Sequence, residues 1–391
     1  MRFADLLALL GDTKNEFLLL EGTRGDRKVV CAPGLVGRVM SSTFDARNGQ
    51  ALGWIGTKAI QDGAVDPTFN NFGGEERLWF GPEGGQFGLH FAGWPQNMTN
   101  YRVPPCASSL AYQVTAISQD RSFLVMEADV SMTNLAHTTF KLHVKRIIHV
   151  LTTCPYLLDC ENRTEAIGFQ SETLVTNISD KMIEPESGLI CCWTLGQFPN
   201  ANGRVVAVPF QTGNVTQLGE PVRFDYCKDL CVGGLFPSER WRLGRNHALF
   251  LSDGKCRTKI AVSPLRATGR LGSVDFDAGE LLINDFDVFP ELPYAASYWK
   301  HLSSEEILDG EALSCYIDGP DENGGRAGDC YELETLSPAL SLRPGDTFLH
   351  RNRVTHIRGP RKSIEAIALR FLHTNIAEVT QAAGAAVREG P

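Results

Sequence analysis

Residues 330–359 read CYELETLSPALSLRPGDTFLHRNRVTHIRG. Near its start Tyr331, Leu333 and Thr335 alternate with Glu332 and Glu334, the period of two that marks an extended strand whose successive side chains point to opposite faces. The two glutamates therefore share one face, and a face with two carboxylates meets either solvent or a site. Arg343-Pro344-Gly345-Asp346 is a turn signature, because proline presets one backbone angle of a turn and glycine accepts the left-handed one. A further strand carrying His350 follows it.

The same rhythm extends in both directions. Short apolar or alternating runs recur at 16–21, 28–32, 38–44, 123–132, 140–150, 172–178, 188–195, 204–210, 259–263 and 363–372, and polar or turn-forming residues separate most of them. The runs 123–132 and 140–150 read as one long antiparallel hairpin. Helical spacing is confined to 1–10, where Phe3, Leu6, Leu7 and Leu10 share a face, and to 303–308 and 376–387. The 38 glycines and 20 prolines suit a chain of many strands and turns. No fixed-period repeat and no low-complexity linker divides it. These readings predict one all-β domain over residues 1–391, a large antiparallel β-sandwich (supersandwich) with short terminal helices.

Composition excludes several classes of function. A net charge of −9 without a basic stripe gives nucleic acid no electrostatic purchase. No apolar run approaches the roughly 20 residues that span a bilayer. The N-terminus lacks the long apolar stretch and cleavage site of a secretory signal, so the expectation is a cytoplasmic protein. Among 11 cysteines, the adjacent Cys191 and Cys192 point to opposite faces, and Cys227 and Cys231 lack a second pair at zinc-ligand spacing. Cys315 and Cys330 flank the glycine- and acid-rich stretch 318–329 and would close it in an oxidising compartment; otherwise the thiols are buried and reduced.

A second informative segment, residues 70–93, reads NNFGGEERLWFGPEGGQFGLHFAG. Its glycines allow sharp turns, and it sets Trp79, Phe80, Phe87 and Phe91, then Trp94, around Glu75, Glu76, Arg77, Glu83 and His90. Aromatic rings cover the apolar C–H faces of a pyranose while charged groups hold its hydroxyls. The segment therefore reads as part of a sugar site.

Leu333-Glu334-Thr335, a nearby proline, Leu342-Arg343-Pro344-Gly345-Asp346 and the strand near His350 together resemble the C-terminal part of aldose 1-epimerases, the galactose mutarotases. Gly73-Gly74, Phe80-Gly81-Pro82 and Leu89-His90-Phe91 resemble that family's glycine-rich first-half segment. The resemblance implies a mutarotase-like sandwich with Glu334 as general base and His90 and Arg77 as substrate contacts. It is partial. The family's mid-chain Asn-His-x-Tyr-Phe stretch, which carries its general acid, has no counterpart in 173–198, which holds Asn177 but no histidine. Trp193 and Gln197 stand there instead, suited to stacking on and hydrogen-bonding a sugar. The pattern is that of an outlying branch.

The expected activity is acid–base chemistry on a sugar or uronate, an aldose 1-epimerase-like isomerisation, with Glu334 as base and His90 as acid. Arg77, Trp79, Glu83, Trp193, Gln197, Glu332 and His350 are the expected substrate-binding residues, and no cofactor is expected. Three alternatives stay open. His350 and His356 with Glu332 or Glu334 would hold a divalent metal. Glu83 or Glu75 with Glu334 would form a glycosidase pair. Trp79, Trp94 and Trp193 would serve a carbohydrate binder without chemistry. His137, His143 and His149 read as surface or structural residues, Lys255, Cys256, Arg257 and Lys259 as lining solvated faces, and 226–234 as a loop bordering the cleft.

Overall fold

Antiparallel pairing dominates the computed structural model, as the alternation requires. The structure describes residues 1–387 apart from 23, 64, 65, 67, 158–162, 226–236 and 322. The strands come in chain order as β1 (Leu18–Glu21), β2 (Lys28–Ala32), β3 (Arg38–Thr43), β4 (Arg77–Gly81), β5 (Gln113–Ile117) and β6 (Phe123–Thr133). Then follow β7 (Thr139–Val150), β8 (Glu165–Asn177), β9 (Cys191–Pro199), β10 (Val205–Pro209), β11 (Trp241–Leu243) and β12 (His247–Leu251). The last are β13 (Thr258–Val262), β14 (Arg270–Asp275), β15 (Glu280–Phe286), β16 (Leu313–Ile317), β17 (Cys330–Leu336) and β18 (Thr347–Arg358).

A ten-stranded sheet has the order β11-β12-β10-β14-β15-β18-β8-β7-β6-β5, and a five-stranded sheet the order β13-β16-β17-β9-β4. The strands β1, β2 and β3 form a small third sheet. The β6–β7 hairpin pairs Thr133 with Thr139 at its closed end, where Asn134 accepts the Thr138 amide and His137 takes a left-handed φ of 62°. Along β7 burial alternates from Phe140 onward, so one face enters the core and the other carries His143, bonded to Asp129 at 2.8 Å.

The five-stranded and ten-stranded sheets pack face to face, as in a sandwich. On β17, Tyr331, Leu333 and Thr335 point into the layer between them. The Tyr331 hydroxyl meets Ser273 of β14 at 2.6 Å, and Thr335 meets Asn352 of β18 at 3.4 Å. The core there is apolar, with Phe169, Phe198, Phe250 and Leu333 essentially inaccessible. It also buries charge, which is tolerated only when paired and hydrogen-bonded. Glu76 pairs with Arg146 and accepts from Ser171 and Asn352, each at 2.7 Å. Glu75 accepts from Ser42 at 3.0 Å and meets His356 at 3.0 Å. The backbone reaches these glutamates through Gly73 and Gly74, at φ 81° and 111°. A Cβ on Gly73 would lie 2.2 Å from the Trp54 carbonyl oxygen.

The N-terminal helix runs Phe3–Gly11 and buries Phe3, Leu6 and Leu10, and the C-terminal helix runs Ile376–Val387. The stretch 363–372, expected as a strand, lies in a helix, Arg361–Leu372. Pro360 precedes it, and Ile364, Ile367, Ala368 and Leu372 at helical spacing pack against β14 and β15. Of the expected helix 303–308, Glu306–Leu308 form a single 3₁₀ turn. Cys315 and Cys330 are free thiols, both buried, so they do not close the loop between them. Cys227, Cys231 and the stretch 226–234 lie outside the described residues. Among the described residues, no helix is long and apolar enough to cross a membrane.

Candidate functional site

Strand parity builds the site. If Tyr331, Leu333 and Thr335 of β17 face the sandwich interior, Glu332 and Glu334 must face outward. Register then places their neighbours: Glu332 opposite Gln197 of β9 and Tyr316 of β16, and Glu334 opposite Leu195 and Ser314. Arg77 of β4 lies opposite Leu195, and Trp79 opposite Trp193. Lys259 of β13 pairs with Tyr316. One outward face of one sheet thus carries Arg77, Trp79, Trp193, Gln197, Lys259, Glu332 and Glu334.

Loops roof this face and leave a cavity of about 430 Å³, whose walls include Phe69, Trp79, Tyr101, Trp193 and Trp299. Trp79 and Trp193 stand edge to face with centroids 5.4 Å apart. Glu334 forms part of the floor. Its Oε2 accepts from Trp193 Nε1 at 2.8 Å and Ser314 Oγ at 2.7 Å, and Lys259 Nζ lies 3.1 Å away. Its Oε1 has no hydrogen-bond partner among the described residues.

Burial alone would drive the Lys259 ammonium toward neutrality. The Glu334 and Glu83 carboxylates outweigh it and hold its pKa above the ordinary lysine value. Lys259 Nζ also sits 4.8 Å from the Trp193 ring centroid, a cation–π contact. Beside this pair, Arg77 binds Glu332 at 2.9 Å, and Gln197 donates to Glu332 at 2.7 Å and to Asn71 at 3.0 Å. Burial pushes the Glu332 carboxyl up, against the pull of Arg77. On another wall Glu83 accepts from the Tyr101 hydroxyl at 2.9 Å and from Trp299 Nε1 at 3.1 Å. Burial raises the Glu83 pKa as well, against Lys259, Trp299 and Tyr101.

The structure brings Glu334, Arg77, Trp79, Glu83, Trp193, Gln197 and Glu332 to this one cavity. It does not bring the histidines there. His90 lies behind Trp79, ring centroids 5.0 Å apart, and its Nε2 donates to the Phe80 carbonyl at 2.9 Å. Burial lowers its pKa to about 4. His350 faces the sandwich interior, 3.3 Å from Thr335, with a pKa also lowered to about 4 by burial. His356 is committed to Glu75. His350, His356 and Glu332 therefore do not converge, because β17 turns its glutamates away from β18. Among the described residues, no group of three or more His, Cys, Asp and Glu side chains is placed to hold a metal. Glu75 lies in the core, so only Glu83 of the two shares the cavity with Glu334. Trp94 is half exposed and stacks on His301.

Lys259, expected on a solvated face, is buried at the centre of the site. Its signal was a lone cation in the otherwise uncharged strand TKIAV. Tyr101 and Trp299 were also missed. The aromatic run YAASYW at 294–299 marked the second, and nothing local marked the first. A larger, open groove of about 700 Å³ lies elsewhere, along β15 and β18. Its Arg270 pairs with Asp285 at 2.6 Å and its Arg353 donates to the Gln170 amide oxygen at 2.8 Å.

A family of unknown function (DUF6786) matches residues 1–383. No curated protein matches the chain. Among solved structures it is similar to the Slr1438 protein of Synechocystis sp. PCC 6803, at 13% identity and a TM-score of 0.50 over 89% of this chain and 97% of that one. A proposed aldose 1-epimerase of Escherichia coli K12 is 13% identical, with a TM-score of 0.49 over 88% of this chain and 100% of the other. A galactose mutarotase-like protein of Lactobacillus casei ATCC 334 is 12% identical, with a TM-score of 0.45 over 87% and 100%. The likeness to Slr1438 is one of fold and carries no reaction with it. The fold is the large antiparallel β-sandwich with short helices that the strand rhythm predicts.

Proposed function

The chain belongs to a family of unknown function (DUF6786), and from that premise we propose that it is a carbohydrate-active protein using Glu334 as a base. The cavity takes one sugar or uronate ring, and the chemistry is isomerase-like, at the anomeric carbon. One observation carries the reading: Glu334 is buried at the floor of an aromatic-walled cavity, Oε2 fixed by three donors and Oε1 without a hydrogen-bond partner among the described residues. A carboxylate held in one orientation with one oxygen to spare is pre-positioned to accept a proton. Trp79 and Trp193 offer faces or edges to the C–H side of a ring. Arg77 Nε and Nη1 and Gln197 Oε1, without hydrogen-bond partners among the described residues, offer donors and an acceptor to hydroxyls or a carboxylate.

The test is exchange between α and β anomers of D-galactose, D-glucose and D-glucuronate, followed by NMR. The wild type should speed exchange of at least one sugar above the buffer rate, and Glu334→Gln should lose about 10²–10⁴-fold of that acceleration. Equal rates in both proteins would remove Glu334 from the chemistry. A second reading, a carbohydrate binder without chemistry, is favoured by the Lys259–Glu334 ion pair, which neutralises the proposed base. It predicts sugar binding with no acceleration in either protein.

A further inference from the structure

Anomer exchange needs two proton transfers, and His90 cannot supply the second, since it lies behind Trp79 with its N–H given to a backbone carbonyl. We infer that Glu83 is the proton donor that works opposite Glu334 across the same cavity. The inference rests on the isomerase reading above.

Glu83 lies just beyond the end of β4 and is only 6% exposed, yet it lines the cavity together with Glu334. It is held at both ends. Its backbone N–H donates to Ser297 Oγ at 3.2 Å and its carbonyl accepts from the His90 amide at 3.2 Å. Its carboxyl oxygens are gripped by Tyr101 and Trp299, both neutral donors. Glu334, by contrast, receives three donors on one oxygen, one of them an ammonium. Two carboxyl groups in one cavity, one with an ammonium 3.1 Å from its oxygen and the other hydrogen-bonded by Tyr101 and Trp299, are an arrangement that can divide acid from base.

The charged groups that face Glu83 are Lys259 from β13 and Glu334 from β17, with Tyr101 against it; Arg77 and Glu332 stand beyond Tyr101. Burial favours the protonated form and Glu334 adds to it, while Lys259, Trp299 and Tyr101 oppose it. The net direction is upward, as a donor near neutral pH requires.

In the step, Glu334 removes the O1 proton and the O–H electron pair becomes the second C1–O1 bond. The C1–O5 bond breaks, its pair stays on O5, and Glu83 protonates that oxygen. The product is the open-chain aldehyde. Rotation about C1–C2 and closure on the other face reverse both transfers and give the opposite anomer, with no net change in protons or electrons.

The experiment measures exchange of the same three sugars from pH 5 to 9 in wild type, Glu83→Gln, His90→Gln and Tyr101→Phe. The expectation is a loss of about 10²–10⁴-fold in Glu83→Gln with sugar affinity held within a few-fold, and little change in His90→Gln. Wild-type kcat/KM should fall on the alkaline side as Glu83 gives up its proton, and Glu83→Gln should lack that limb. Tyr101→Phe removes a donor to the carboxylate and should move the limb to higher pH. This arm keeps the test alive if Glu83→Gln does not fold. Wild-type rates in Glu83→Gln, or an alkaline limb unmoved in Tyr101→Phe, overturn the role of Glu83 alone. No acceleration by the wild type overturns the isomerase reading and this inference with it.

Discussion

Replacing Lys259 by methionine keeps most of the side-chain volume and removes the cation at the centre of the site. The Lys259 side chain is 8% exposed and that of Glu334 1%, with 3.1 Å between Nζ and Oε2. At an effective dielectric constant of about 20, a unit-charge pair at that distance attracts by about 5 kcal/mol. Desolvation already borne by both groups offsets part of this, and removing one partner of a buried pair typically costs about 3–5 kcal/mol. Lys259→Met should therefore lose about 3 kcal/mol of unfolding free energy at pH 7.5, measured by urea titration. The pH dependence has a definite sign. The folded pKa of Lys259 lies above its unfolded value, so its contribution is intact at neutral pH and is lost only as pH rises through the alkaline range. On the acid side Lys259 currently pulls Glu83 down against burial. Without it Glu83 rises further, and a carboxyl whose folded pKa is raised favours the folded state as pH falls. The deficit should therefore shrink between pH 7.5 and pH 5. A deficit below about 1 kcal/mol, or one that does not change with pH, would refute a buried ion pair at the heart of the site.

Other outcomes follow from the same geometry. Arg146→Met leaves Glu76 charged in the inter-sheet core and should cost about 3–5 kcal/mol in urea unfolding; a loss below 1 kcal/mol would mean that Ser171 and Asn352 suffice. Trp193→Ala removes a cavity wall and a donor to Glu334, and should weaken sugar binding about tenfold or more by calorimetry. His90 and His350, held down to about 4 by burial, give stability that is complete above pH 6.5 and lost as pH falls toward 4. Urea midpoints should drop across that window, and His350→Asn should flatten the slope.

Of the candidate site, strand parity made Glu332 and Glu334 legible, and the aromatic and charged composition of 70–93 made Arg77, Trp79 and Glu83 legible. Alternation through 331–335 put Glu332 and Glu334 on one face, and the structure puts that face under the cavity. The residues that escaped did so for identifiable reasons. Parity says which side chains share a face but not which face is covered, so Lys259 read as solvated when its neighbours on the sheet are Tyr316, Glu334 and Trp193. The metal reading assumed that the histidines of β18 meet the glutamates of β17, whereas Tyr331, Leu333 and Thr335 occupy the layer between the sheets. His90 sits in an irregular loop, where no period predicts direction. The helix Arg361–Leu372 had its apolar residues at helical spacing, but their density passed for a buried strand.

The central claim is that the cavity receives a sugar with its anomeric centre at Glu334. A crystal structure of the protein soaked with D-galactose or D-glucuronate tests it most directly. The account predicts a ring against Trp193, its O1 within hydrogen-bond distance of Glu334 Oε1 and its ring oxygen turned toward Glu83. A ring bound in another groove, or one in this cavity with its anomeric carbon turned away from Glu334, would contradict it.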